Sequence, residues 1–597
     1  MAVEQKAAVT FKERFPALAS RLGQTTPRGP SVADYKTVNG KSTDWDALVS
    51  RWLAGVDLEP NTVHAVTGFG NGIHIVALLD RLPEGSFVFC AEPQAEAVLP
   101  RADNELVESV LGDPRFYIGI GELDADFFES LSRFPSLEVT NARPLVFAPL
   151  HNLYPKYYSR FFSEFPKSLE YWRKLVGTNV TGSGLWQLNT LLNAPTLMNA
   201  PDLKSVAGNF QGCAAILVAA GPSLDGAIDF IRARADDCLI IAVNSSYRAL
   251  RNAGIFPHFV IAADPYEYTG QGFEGVPCND SILIAPFMVY PPVVEKFRGR
   301  ILTWSLNNLL ASYLRLTSGL DLGSEVAELG TVSGCVFDIA KTLGIRAIVF
   351  AGQDLAAGPD DRMHASDSFY SDLGGDQLKT QEYRLLPSND GREVKVESKL
   401  YVYLKGMESL AKMHGREIDL YNLSLSGAKI EGIPYVDHQT MTDILSEESR
   451  ERISRGFKSA VASIRNAKDV SENLADSLHG LAEFARSVCS LSLGGAMELE
   501  LALKSGSDKL EAGIQLALEA NRQLDALFKE NPDPKKLLED GALKYELALF
   551  REAVGQFDKS ADIQAYRARE LHERLWALAE GSFSFFKAIE ESRKRLG

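Results

Sequence analysis

The feature that most constrains this chain is a series of short, β-rich apolar runs between residues 186 and 435, separated by helical patterns. The runs are AAILVAA (214–220), CLIIAV (238–243), FVIAAD (259–264), ILIAP (282–286), ILTW (301–304) and AIVFAG (347–352). Short β-rich runs alternating with helical patterns specify a parallel sheet with crossovers. Polar or glycine-rich turns follow the strand ends, which is where open α/β sheets place their chemistry.

A chain of 597 residues is too long for one hydrophobic core. Three regions are expected: an N-terminal α/β domain over 1–185, a central Rossmann-like domain over 186–435, and a helical bundle over 436–597. The first region repeats the α/β pattern, with strands at 63–67, 115–119 and 144–150 and a further run, FVFCAEP, whose strand ends in Glu92. There Gly68, Gly70 and Gly72 follow a strand, with Glu92 about twenty residues later, broadly as in dinucleotide or S-adenosylmethionine pockets. The spacing GxGxG departs from GxGxxG, and any tight strand-to-helix turn needs glycine. A sheet domain used for packing is the plain alternative. The third region is mostly Ala, Leu, Glu and Lys at helical spacing. In the central region the polar stretch 357–399 is long enough to be a lid or binding loop.

Composition excludes several classes. The hydrophobic fraction of 45% and charged fraction of 23% are those of a globular protein. A net charge of −16 does not favour broad binding to DNA or anionic lipid, although it leaves room for a local basic groove. Six scattered cysteines form no CxxC pair and no disulfide scaffold. No apolar run approaches the roughly 20 residues of a membrane span, and the opening MAVEQKAAVTFKERFPAL has no apolar signal core. A cytoplasmic protein without nucleic-acid partners or membrane insertion is expected.

The strongest local signal is LVAAGPSLDGAIDFI. A buried strand enters Gly221, Pro222 and Ser223, and a helix starts at once. Ser223 can cap that helix, and exposed N–H groups at its positive end make an anion site. The turn lacks the GKS/T of a P-loop, so ATP hydrolysis is poorly supported. Asn244 and Ser245 follow the next strand, suited to base or sugar hydrogen bonds, and Asp264 ends the one after. Thr331, Ser333 and Gly334 enter a small-residue helix as a second phosphate cradle. Gln353 and Asp354 complete the polar rim. His364, in DDRMHAS, is the main candidate for proton chemistry, although a lone loop histidine also has a structural explanation. Glu325 is a second acid or sugar contact, or an exposed cap. No metal motif of the HExxH type occurs. The DxD triplets at Asp44/Asp46 and Asp124/Asp126 read as surface or capping acids.

Taken together, GPSLD, NSSY, ADPYE, TVSG, GQDLA and MHAS resemble the motility accessory factor (Maf) family. The central domain of that family is similar to 6-hydroxymethylpterin pyrophosphokinase-like proteins and bacterial sialyltransferases. The resemblance implies a flagellin glycosyltransferase that moves a nonulosonic acid, of pseudaminic or legionaminic type, from its CMP-activated form to Ser or Thr. It assigns Gly221, Pro222 and Ser223 to the phosphate turn, and Asn244, Asp264, Ser333 and Gly334 to the donor pocket. Gln353, Asp354 and His364 then line the sugar or acceptor side, with His364 as general base. Because CMP leaves with one phosphate, no metal is required and no cofactor is held tightly. Two rivals share these motifs: a pterin pyrophosphokinase needing ATP and divalent metal, and a noncatalytic flagellin chaperone.

Overall fold

The computed structural model describes residues 37–38, 41–42 and 44–596, apart from 84, 95–109, 114, 124–126, 128–130, 132–138, 140, 306–307, 328–330, 373–382, 446–449, 506 and 540–562. It is a multidomain α/β protein with parallel sheets and a C-terminal helical region. The chain divides into two compact units at Thr181/Gly182.

The first unit holds a four-stranded sheet of β1 (Thr62–Thr67), β2 (Phe87–Glu92), β3 (Phe116–Ile120) and β4 (Asn141–Leu145), in the order β3-β2-β1-β4. Every pairing is parallel. On one face Val66, Val88 and Phe116 pack with helices α1 (Trp45–Leu53) and α2 (Ile73–Leu79); on the other, Val63 and Phe89 meet Phe161 and Phe165. The run expected as a strand over 144–150 ends early. Pro144 is tolerated because β4 is an edge, and Pro149 lies in the first turn of a short helix, Ala148–His151, where its missing N–H costs nothing. Asp44 caps α1 by accepting the Ala47 N–H at 3.0 Å, while Asp124 and Asp126 lie outside the described residues.

The glycine turn of this unit has partners from within the chain. Glu92 does not wait for a ribose: its carboxylate accepts the N–H groups of Phe69 at 2.9 Å and Gln94 at 3.1 Å. Gly68 and Gly70 take φ values of +65° and +53°, and a Cβ on either would come within 2.9 Å of Leu150 Cδ1. The ground beside the turn is therefore filled by leucine. His74 lies within 3.1 Å of the Gly68 carbonyl and stacks on Phe147, and burial lowers its pKa to about 4. These are the contacts of a packed turn.

The second unit is built on a seven-stranded parallel sheet. Its strands are β5 (Ala214–Val218), β6 (Leu239–Val243), β7 (Phe259–Ile261), β8 (Ile282–Pro286), β9 (Ile301–Trp304), β10 (Ala347–Ala351) and β13 (Asp419–Asn422). They are ordered β9-β8-β7-β6-β5-β10-β13. The chain moves outward from β5 to β9, then returns to lay β10 on the other side of β5. A crevice must open at that reversal, at the carboxyl ends of β5 and β10. Strands β5, β6 and β10 are buried at every residue, as a sheet covered on both faces requires.

The polar stretch over 357–399 is not wholly irregular. It contains the antiparallel hairpin β11 (Tyr383–Pro387) and β12 (Glu393–Glu397), with Gly391 at φ +84° in the turn. Helix α8 (Ser398–His414) follows directly. The C-terminal region consists of α9 (Arg450–Arg465), α10 (Ser471–Ser505), α11 (Ser507–Glu530) and α12 (Ile563–Leu596). Leu478, Leu481, Val488 and Leu499 bury the inner face of α10, with Leu575, Phe585 and Ile589 of α12 in the same core. Among the described residues no helix is long and apolar enough to cross a membrane.

Candidate functional site

At the β5/β10 reversal the chain forms a half-open cavity of about 200 Å³. Its floor is the Gly221 turn after β5, together with Gly352, Gln353 and Asp354 after β10. Asn244 and Ser245 enter at the start of helix α5 (Asn244–Asn252), and Asp264 stands three residues past the end of β7. Thr331 and Ser333 come from the turn before helix α7 (Val336–Leu343), and His364 from the covering segment. These residues are up to 143 positions apart in sequence (364 − 221) and meet because each follows a strand end or covers one.

Asp354 organises the floor. Its Oδ2 accepts the Ser223 N–H at 3.0 Å and the Ser223 hydroxyl at 2.8 Å, and Ser424 Oγ lies 2.6 Å from Ser223 Oγ. A Cβ on Gly221 would overlap that carboxylate and come 2.6 Å from Gly352 O, while one on Gly427 would come 2.8 Å from Asp354 Cα. The two glycines thus admit the aspartate between them. Next to it Leu355 takes φ +50°, a left-handed conformation that costs a leucine energy and marks strain at the rim.

This geometry changes the reading of the turn. Ser223 gives the helix α4 (Leu224–Arg234) no side-chain cap; its hydroxyl is held by Asp354. The N–H groups expected to face a phosphate are engaged within the protein: Gly221 N–H donates to Gly352 O at 2.8 Å, Leu224 N–H to Gly221 O at 3.0 Å, and Ser223 N–H to Asp354. The anion at this turn is the chain's own carboxylate. Asp225, in the first turn of α4, anchors the cover instead. It accepts the Ser366 N–H at 2.9 Å and Arg362 Nη1 at 2.8 Å, and Ala365 N–H donates to Ala220 O at 2.8 Å.

Burial pushes the Asp354 carboxyl up to about 6, against the opposing hydrogen bonds from Ser223 and Ser424 and the Arg362 charge. The sign follows from linkage. The folded state holds the proton above the pH at which an unfolded aspartate, near 3.8, releases it. Stability therefore falls as pH rises from about 4 through about 6. A shift of this size is worth on the order of 2–3 kcal/mol. Chemical denaturation at pH 4.5 and pH 7 is expected to show wild type losing that much relative to Asp354→Asn; parallel behaviour of the two proteins would remove the assignment.

Asp264 is raised by burial, with the Lys399 ammonium opposing. Around it stand side chains that sequence reasoning missed: Tyr268, Tyr370, Lys399 and Tyr403. Burial pushes the Tyr370 hydroxyl up to about 12, with the Asp264 charge second, so it remains a donor at neutral pH. His364 stacks on Tyr370 with ring centroids 4.2 Å apart at 19°, and Lys399 lies 5.5 Å from the Tyr403 ring centre. The i,i+4 spacing of Lys399 and Tyr403 on α8 puts them on one helical face, yet nothing in the sequence shows that the face meets Asp264. Four expected residues do not line the cavity: Glu325 is exposed, Gly334 packs toward Leu410, Pro222 backs Gly358, and Ser223 supports the floor from behind. Among the described residues no group of three or more His, Cys, Asp or Glu is arranged to hold a metal.

Comparison with known proteins agrees with this architecture. Residues 188–360, which carry β5 to β10 and most of the cavity, match the family described as 6-hydroxymethylpterin diphosphokinase MptE-like. The central domain is therefore MptE-like. The whole chain is similar in fold to the structure of a Maf glycosyltransferase from Magnetospirillum magneticum AMB-1. The TM-score is 0.52 at 15% identity, covering 100% of this chain and 94% of that one. No curated protein sequence matches the chain. Both similarities agree with the fold that the Maf resemblance implies.

Proposed function

We propose that the chain is a glycosyltransferase whose donor site is the β5/β10 cavity, and that it moves a nonulosonic acid from its CMP-activated form to Ser or Thr of flagellin. The observation that carries this reading is the gathering of Asn244, Asp264, Ser333, Gln353 and His364 around one polar cavity at the sheet reversal. The central domain is then a Rossmann-like relative of the sialyltransferases.

The Gly221 turn, backed by Asp354, forms the floor of the donor site, while Thr331 and Ser333 supply hydroxyls to the phosphate. Asp264 takes the acceptor proton, and its raised pKa makes it a stronger base than a solvated aspartate. The acceptor oxygen bonds to the anomeric carbon as the carbon–oxygen bond to phosphate breaks, and CMP departs with the electron pair. Lys399 and the tyrosine hydroxyls offer positive charge and donors as charge develops there. His364, held flat on Tyr370, orients the sugar. In this reading Asp354 is a support and Asp264 acts at the reacting atoms, whereas the family resemblance put Asp264 in the donor pocket, Asp354 on the sugar or acceptor side and His364 as base.

Purified chain, its cognate flagellin and CMP-pseudaminic or CMP-legionaminic acid are expected to give a sugar-sized increase in intact flagellin mass that EDTA leaves unchanged. Tight flagellin binding without a mass increase would turn the reading to a chaperone. The family description of residues 188–360 favours one other reading, diphosphate transfer to a hydroxymethylpterin; ATP, Mg²⁺ and the pterin form the arm of the same assay that detects it.

A further inference from the structure

A second cavity, of about 460 Å³, lies in the same unit beside the edge strand β9 and shares no lining residue with the first. It is bounded by the segment after the helix α3 (Pro155–Leu197), by helix α6 (Leu309–Thr317) and by the C-terminal end of α9. Here the sheet domain meets the helical region. Asn199 Nδ2 donates to Ser471 Oγ at 2.9 Å, and Asn473 Nδ2 to the Ser318 carbonyl at 3.1 Å.

Arg315 lines this cavity and is 3% exposed. Its Nε donates to the Asp321 carbonyl at 2.8 Å, and its Nη2 to Asp321 Oδ1 at 3.2 Å. Asp202 Oδ2 stands 4.0 Å from Nη2. Nη1 is buried with no hydrogen-bond partner. Asp202 is not available to it as a full counter-ion, because its carboxylate already accepts the N–H groups of Lys204 at 3.0 Å and Ser324 at 2.9 Å and the Ser324 hydroxyl. The guanidinium is ion-paired with Asp321, but an N–H group buried without an acceptor is costly, and an oxyanion that reaches Nη1 relieves that cost. Lys468 supplies a second cation at the rim, Ser205 and Ser463 supply hydroxyls, and Met198 and Leu320 make an apolar wall. Arg315 and Lys468 bring two cations to a lining in which Asp202 is the carboxylate. The volume is that of small-molecule sites.

We propose that this cavity is a second ligand site, which binds a small carboxylate or phosphate anion through Arg315 and Lys468. The inference does not rest on the donor-site reading. The test is calorimetric titration of the full chain with inorganic phosphate and, separately, with acetate, each repeated in saturating CMP to occupy the first cavity. At least one anion is expected to bind without CMP, and binding retained in CMP is expected from a site separate from the first cavity. Arg315→Met is expected to weaken that binding about tenfold or more, and Lys468→Glu by a similar factor. Lys468 is exposed, so its variant remains informative if Arg315→Met fails to fold. Preference for phosphate or for acetate identifies the source of the anion. Binding of neither anion, or binding unchanged in Lys468→Glu, overturns the proposal.

Discussion

Asp264→Asn is expected to slow sugar transfer by about 10²–10⁴-fold while changing CMP affinity by no more than about twofold. The asparagine keeps the size and the partial burial of the side chain but cannot take a proton. Asp264 lines the cavity on an extension of β7, next to Tyr268 and Tyr370. Lys399 is the cation that offsets its burial. His364→Ala is expected to act mainly through KM, because the imidazole is spread over the Tyr370 ring. Single-turnover kinetics with intact-mass detection separates the two variants. Full activity in Asp264→Asn, with loss in His364→Ala, would return the role of base to the histidine.

The second large effect is expected at Gly221→Ala: a stability loss of about 1–3 kcal/mol and a fall in CMP affinity of about tenfold or more. Gly221 does not have a positive φ, so the reason is space and not backbone freedom. The added methyl would overlap the Asp354 carboxylate and press on Gly352 O. Neither neighbour has room to retreat: Asp354 is backed by Gly427, and a Cβ on Gly352 would itself overlap Ala219 O. Gly226→Ala, one turn along α4, is the control, because nothing lies within 4 Å of the position its Cβ would take. Equilibrium unfolding and CMP titration of both variants check the pair. A Gly221→Ala protein as stable as Gly226→Ala, with undiminished affinity, would show that the floor yields more than its geometry indicates.

These two positions also show what was legible in the sequence. All six central strands could be read from their continuous apolar runs, and the Ile282–Pro286 and Ile301–Trp304 boundaries agree to the residue. The edge strand β13 could not, because DLYN is short and half polar, and it owes its place to pairing with β10. The cavity lining was visible where polar or glycine residues follow a strand end, as at Gly221, Asn244, Asp264 and Gln353. It was hidden where tertiary packing brings in a distant element, as with Ser424, Gly427, Lys399 and Tyr403. The opposite error arose at the glycine turns. A strand, a glycine turn and a helix leave N–H groups to be satisfied, but sequence cannot show whether ligand or protein satisfies them. In both units a carboxylate from a neighbouring strand end does so: Glu92 at Phe69, and Asp354 at Ser223. Glu325 and Gly334 fall outside the cavity for the same reason, since proximity in sequence to a strand end or turn does not set the direction of a side chain.

The most direct test of the donor site is a crystal structure of the chain with CMP. Nucleotide density is expected between the Gly221 turn and the Thr331–Ser333 hydroxyls, with the phosphate toward Lys399. CMP bound outside the β5/β10 cavity, or an empty cavity at a CMP concentration that supports transfer, would contradict it.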